Sequence, residues 1–588
     1  MSIKRLLPLL SFLWLSPYLF SCGKNLTVYV DTVDFAITSP RTAWAYNEDA
    51  KIMLAVNADT DEVRWESNIA GPLGKGNHLT VFMREGRHRI SAEIMGVRRE
   101  VDMVVSPGLP GNISRSVLVH YSPMELMPKK GTYWSYLHTH DGSVGSFRIL
   151  PSGAGRSASF SEDIPENRPP RDIRIPMPEG GVPVDAAGKR AHPYGVYGPG
   201  DRRMLLVVDT ANQLGAPHLI EAELIHRSDT LAVWFPVGQQ PAADLVYECI
   251  RKVESHIVPR VVGIWGNAAD IDGDGRIALF FSQTLNDEGF ALGFFNPADF
   301  FEFNDDAHSV SYNPASNEMD ILYVAMPEAD PDSSFSMNNI VATVAHEMAH
   351  AATFTAKTWN RLRDGDGTAV REEIFLEEGW SHLTENLCGL GVSGGNIRFL
   401  KRFLDDTSAY SFGGPNRAGQ QDSVGMRGAI TLFLSWLFRE AGGVSWNPSR
   451  PVELVDLGGI SFLRRMAELP ETGWESIGLA FGRPTDLLFD DMLRELNDYR
   501  ISGRSFDYTL DPLTGEAVDF FVNMGSFYVD DKAIHIGFPS AASIFESNAL
   551  LPRSVVFYDA FQVSANQPLV LDSAKNEGGV FFSYRNAD

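Results

Sequence analysis

Three apolar patterns divide the chain. From Lys24 to about Pro107, segments such as "KIMLAVNA", "NHLTVFMREGRHRISAEIMG" and "VRREVDMVVS" alternate apolar with polar residues between glycine-bearing turns. That two-residue period is the mark of half-buried strands. Residues 108–200 include "PENRPPRDIRIPMPEGGVPVDAAGKRAHPYGVYGPGD", dense in proline and glycine, which predicts a linker or extended surface segment. Two strand-like runs follow, "RRMLLVVD" and "DTLAVWFP". The spacing of apolar residues then changes to three and four in "AADLVYECIRKVESHIVPRVVGIWG". It stays mainly helical to about Tyr499 before returning to strands such as "SVVFYDAFQV" and "PLVLDS".

The pattern predicts an α+β multidomain chain. Its parts are a β-sandwich over 24–107, the linker 108–200, a mainly helical domain over 201–505 led by a small sheet, and a β-rich domain over 506–588. The short strands of the first part, at their spacing, are immunoglobulin-like in character. At 588 residues the chain is too long for one core. Hydrophobic content of 44% and charged content of 21% are those of a globular protein. The formal net charge of −25 excludes the basic surface that non-specific nucleic-acid binding requires.

The opening "MSIKRLLPLLSFLWLSPYLFSC" places Lys4 and Arg5 before an apolar run to Phe20, the layout of a secretory signal over 1–21. Leu19-Phe20-Ser21-Cys22 resembles the lipobox of bacterial lipoproteins, in a relaxed form because Phe20 is bulky. That resemblance implies a lipidated Cys22 and a chain anchored in the bacterial envelope, facing periplasm or exterior. The alternative is a signal peptide cut elsewhere, with an incidental cysteine. Cys249 and Cys388 lie in apolar helical patterns and read as small buried hydrophobes.

The candidate chemistry lies in "VATVAHEMAHAATF" (341–354). His346 and His350 are four apart, on one helix face, with Glu347 beside the first. The spacing suits two metal ligands and a base acting on a water. Ser336 is positioned to cap this helix, and Ile340, Val344 and Met348 form a separate apolar stripe. A zinc site needs a third protein ligand. A metzincin-type ligand is excluded, because Thr353 and Ala356 occupy the glycine and ligand positions. In "FLEEGWSHLTENLCG" (375–389), Leu376, Leu383 and Leu387 mark one helix face. Glu378, His382 and Glu385 run down another, a stripe that a cation would explain.

The pair HEMAH and LEEGWSHLTE resembles the gluzincin arrangement, an HExxH followed on a second helix by a glutamate before glycine. The resemblance implies Glu378 as third zinc ligand and Glu385 as partner of a ligand histidine, with His382 bordering the cleft; Glu377 is the competing ligand. "DIDGDGRIALFF" (270–281), "GFFNPADFF" (293–301) and "SNEMDILYV" (316–324), in that order before the HExxH, are similar to the hyicolysin-type secreted bacterial metallopeptidases. This similarity spans roughly residues 200–450. It implies a zinc endopeptidase acting on proteins or peptides, with Glu347 as general base. Tyr410, His382 and Arg427 are candidate donors to the oxyanion, Tyr410 being favoured. Asp270, Asp272 and Asp274 with Gly275 reproduce half of a calcium loop, although Phe281 replaces the usual twelfth-position glutamate. The expectation is therefore a membrane-tethered extracytoplasmic zinc endopeptidase, with calcium as a second candidate ion. The rival is a surface-binding lipoprotein built on a degenerate peptidase fold.

Overall fold

Continuous apolar runs, rather than alternating ones, build the centre of the larger of two units. In the computed structural model, which describes residues 35–151 and 197–586 apart from short internal stretches, Leu231–Pro236, Ile277–Ser282 and Ile321–Ala325 pair in parallel. Almost every residue of the three is buried, as expected of strands covered on both faces. They are the middle of a six-stranded sheet ordered Arg202–Val207, His218–Arg227, Leu231–Pro236, Ile277–Ser282, Ile321–Ala325, Gly293–Phe295. The last is a short antiparallel edge strand. Helices follow, chiefly Met337–Phe354, Ile374–Leu387, Asn396–Asp405, Val424–Glu440 and Thr485–Ser502. Cys249 and Cys388 are buried free thiols. No helix among the described residues is long and apolar enough to cross a membrane.

The smaller unit includes Lys51–Val105. Strands Ile37–Ser39, Ile52–Val56 and His78–Val81 form one antiparallel sheet. In a second, Val97–Ser106, Gly86–Ile94, Arg64–Ser67 and Gly71–Lys75 pair in that order. Alternation has the expected result: Trp65, Ile90, Ala92, Ile94, Val101 and Met103 are buried, while Arg64, Glu66 and Asp102 face solvent. The chain as a whole is thus a mixed α+β molecule.

The linker reading of 108–200 needs correction. Ser114–Val119, Met124–Leu126, Gly131–Thr139 and Val144–Pro151 are strands, and their partners lie at the far end of the sequence. Gly131–Thr139 sits between Val555–Val563 and Val580–Asn586, and Ser114–Val119 pairs with the outer side of Val580–Asn586. Val144–Pro151 and Met124–Leu126 flank Leu569–Asn576 in a second sheet. The β-rich 506–588 region is therefore not self-sufficient, since segments from both sides of the helical core share its sheets. Short runs between glycines and prolines hide a strand whose partner is remote, because strand pairing leaves no local signal. The signal segment 1–21, Cys22 and residues 152–196 lie outside the described residues.

Candidate metal centre

The helix Met337–Phe354 buries Ile340, Val344 and Met348 and carries His346, Glu347 and His350 on its other side. Ser336 occupies the N-cap position, but its side chain makes no capping hydrogen bond, contrary to the sequence expectation. Two glycines let neighbouring elements come close. A Cβ on Gly293 of the edge strand would sit 2.6 Å from Thr343 Cγ2, so that strand runs tight against the histidine helix. A Cβ on Gly379 would sit 2.7 Å from Leu434 Cδ1 and 2.8 Å from Ile430 Cγ1, where Ile374–Leu387 packs on Val424–Glu440.

This packing brings the two ligand-bearing helices together. His346 Nε2 and His350 Nε2 are 3.1 Å apart, and each is 3.5 Å from a different oxygen of Glu378. Donor atoms of His346, His350 and Glu378 all lie within 4.8 Å of one another. Glu385 Oε1 accepts from Nδ1 of His346 at 2.6 Å and from Nδ1 of His382 at 2.9 Å. With its proton held at Nδ1, His346 presents a lone pair at Nε2, the tautomer a metal ligand needs. Glu377 is half-buried and outside this group. Its neighbour Glu378 is 2% exposed and faces inward.

Charge points the same way. Glu347, Glu378 and Glu385 are all buried, and Arg427, whose Nη1 is 2.9 Å from Glu378 Oε2, is already bound bidentately by Asp422. Glu378 Oε2 has no hydrogen-bond partner, because the nearby guanidinium N–H is not aligned on it. Buried negative charge in excess, two facing imidazole nitrogens and an orphaned carboxylate oxygen fit a divalent cation. Burial raises Glu378, but Arg427 and the contacts with His346 and His350 outweigh it and hold the carboxyl well below its ordinary value. Burial likewise works against Glu385, which His382 and His346 nevertheless hold down. Glu347 is pushed up by burial, partly offset by His346 and His350 and by the Phe295 backbone amide.

Of the three candidate oxyanion donors, Arg427 and His382 are at this centre. Arg427 Nη1 is 3.4 Å from His382 Nε2, and His382 Nε2 is 3.9 Å from Glu378 Oε2. Tyr410, the favoured choice from sequence, is buried against Gly425, two residues before Arg427, with its ring 6.0 Å from the guanidinium carbon of Arg402. Sequence reading missed Asp422, which fixes Arg427, and Phe399, whose ring lies 4.9 Å from that of His382. Asp422 stands five residues before Arg427 in a loop, where no periodicity marks it.

Asp270, Asp272 and Asp274 also bring one oxygen each within 4.8 Å of the others. Their carboxylates accept from the backbone amides of Asp274, Gly275 and Arg276, so the turn accounts for their placement. Phe281 lies in strand Ile277–Ser282, away from any twelfth-ligand role. Asp272 is pushed up to about 7 by burial and by Asp274. No protein-family model matches the sequence, and no curated protein matches it either.

Proposed function

We propose that this chain is a zinc-dependent endopeptidase of gluzincin type, similar to the hyicolysin-type enzymes, acting on proteins or peptides. One observation carries the reading: His346, His350 and Glu378 converge from two helices with the buried carboxylate of Glu347 beside them. When bound, zinc supplies Lewis acidity, polarising a carbonyl and making a water acidic enough to attack near neutral pH. Glu347 takes the proton of the attacking water and passes it to the leaving amide nitrogen; its raised affinity for a proton suits both steps. Arg427 and His382 border the place where the carbonyl oxygen becomes negative. The edge strand Gly293–Phe295 ends the sheet next to Glu347, and an extended substrate chain can lie along it by backbone pairing.

Two further readings belong with this one. The antiparallel sheets around Trp65 support an immunoglobulin-like sandwich over 24–107, serving as spacer or binder. The basic-apolar leader ending at Cys22 supports a lipid anchor that holds the enzyme outside the cytoplasm. The test of the activity is Glu347→Gln, which keeps size and helix but accepts no proton. Zinc content should stay at the parent value while cleavage of unfolded casein falls at least ~100-fold. Equal cleavage by the variant would remove Glu347 from the reaction. A zinc-loaded parent that cleaves nothing would return the chain to the binding-lipoprotein reading.

A further inference from the structure

A second set of ligand-type side chains converges far from this centre, in the sequence "YLHTHDG". His138 is the last residue but one of strand Gly131–Thr139, and His140 follows two residues later. Alternate residues of an extended chain face the same way, and both rings face helix Thr485–Ser502. There Asp486 and Asp490, four apart, share one helix face. His138 Nε2 is 2.7 Å and His140 Nε2 2.9 Å from the same atom, Asp490 Oδ1. His140 Nδ1 is 3.5 Å from Asp486 Oδ2, and Asp486 is in turn held by Arg553 at 2.8 Å. The walls are apolar: Phe581 stacks on His138 at 5.0 Å and Phe489 meets it edge-on. His138 is 1% exposed and His140 9%.

Proton accounting leaves this group incomplete. A neutral His140 with its proton on Nδ1, toward Asp486, turns the bare Nε2 at a carboxylate oxygen, acceptor against acceptor. With the proton on Nε2 instead, the clash moves to Asp486. His138 Nδ1 is buried with no partner, so the one polar contact of this ring is the carboxylate oxygen facing Nε2. Arg553 balances Asp486, while Asp490 Oδ1 faces the two imidazole Nε2 atoms. A positive ion shared by both Nε2 atoms and Asp490 Oδ1 removes the acceptor-against-acceptor contact at His140. Asp486 behind His140 is then the carboxylate that commonly orients a metal-bound imidazole.

We propose that His138, His140 and Asp490 bind a divalent transition-metal ion, zinc being the best match to two imidazoles and a carboxylate, with Asp486 positioning His140. Bonds of about 2.0 Å to a tetrahedral ion set donors ~3.3 Å apart, so each imidazole nitrogen needs to draw back from Asp490 Oδ1 by only roughly 0.5 Å. The role is a fastening. The site ties the sheet shared by early and late segments to a helix of the core.

The experiment uses the full chain carrying His346→Gln and His350→Gln, so that the other centre keeps only the His382 imidazole and cannot supply a two-imidazole shell. It is stripped with chelator, dialysed against micromolar zinc chloride, and its zinc is counted by mass spectrometry. One equivalent should remain, zinc should raise the melting temperature, and X-ray absorption should read two imidazoles with oxygen. Adding Asp490→Asn or His140→Gln should take the count to zero and abolish the rise. A parent that binds no zinc overturns the proposal and leaves His140 as an imidazolium between two carboxylates. An all-oxygen or single-imidazole shell overturns it too, and that reading does not depend on either added variant folding.

Discussion

Replacing Gly428 by alanine tests whether the helices behind the metal centre are in backbone contact. Gly428 lies where Val424–Glu440 crosses Asn396–Asp405 and follows Arg427 directly. A Cβ there would stand 2.1 Å from the carbonyl oxygen of Phe399, 2.5 Å from its carbon and 2.8 Å from Leu400 N. All three are backbone atoms, so no rotamer change relieves the overlap. Ordinary contact needs about 3.5 Å, and the helices must part by more than ~1 Å. Overpacking costs about 1–3 kcal/mol, and parting also loosens buried Leu400, Phe403 and Leu432. Alanine returns roughly 1 kcal/mol in helix propensity, leaving a net loss of up to about 2 kcal/mol before the loosened packing is added. The control is Gly263→Ala in helix Val258–Trp265, where a Cβ meets nothing within 4 Å. There the same change should stabilise by ~0.4–1 kcal/mol. Thermal unfolding reads both: Gly428→Ala should melt several degrees below the parent and Gly263→Ala at or above it. A Gly428→Ala protein that melts with the parent would refute the close crossing, and equal losses at both sites would refute the argument from space.

Two other outcomes follow from buried carboxylates. Glu385→Gln keeps the shape but weakens the acceptor that holds the Nδ1 protons of His346 and His382, so zinc affinity should fall ~10–100-fold. Competition with a chromophoric chelator measures this, and unchanged affinity would deny Glu385 its orienting role. Asp299, buried between the Asn317 amide and the Tyr323 hydroxyl, is pushed up to about 7 by burial, from an ordinary value of 3.8. The native state then holds this proton where the unfolded chain has released it, so stability falls as pH rises from about 4 to 7 and levels off above, by on the order of a few kcal/mol. Asp299→Asn should flatten that part of the melting-temperature profile, and an unaltered slope would assign it to other groups.

What could be read from the sequence was what local spacing encodes. Ile340, Val344 and Met348 against His346 and His350, and Leu376, Leu383 and Leu387 against Glu378, His382 and Glu385, are periodicities of single helices. Both faces of each helix are buried, the apolar stripes in the core and most of the ligand stripes at the centre. Which donor stands at the centre was not legible, because Arg427 comes 49 positions after Glu378 and arrives through helix packing at Gly379 and Gly428. Tyr410 and Arg427 are equally plausible in one dimension. The strand over 131–139 was missed for a related reason: its partners begin at Val555. With it went His138 and His140, whose alternate spacing is visible once the segment is known to be extended.

The interleaved sheet also sets an order of events. Gly131–Thr139 is among the early segments to be synthesised, yet its neighbour Val580–Asn586 comes about 440 residues later. At roughly 5–20 residues per second that is an interval of ~20–90 s, during which a strand rich in Tyr, Trp and Leu has neither of its edges covered. Much of the helical core can condense first, while contacts such as buried Arg260 with Asp511 and the Phe412 amide with the Arg553 carbonyl wait for the later residues. A nascent chain of this design therefore needs a holdase, or an unfolded passage through a translocon, until its last residues emerge. Loss of those residues strips the strand that joins Ser114–Val119 to Gly131–Thr139, leaving two exposed edges of the kind that recruit other chains.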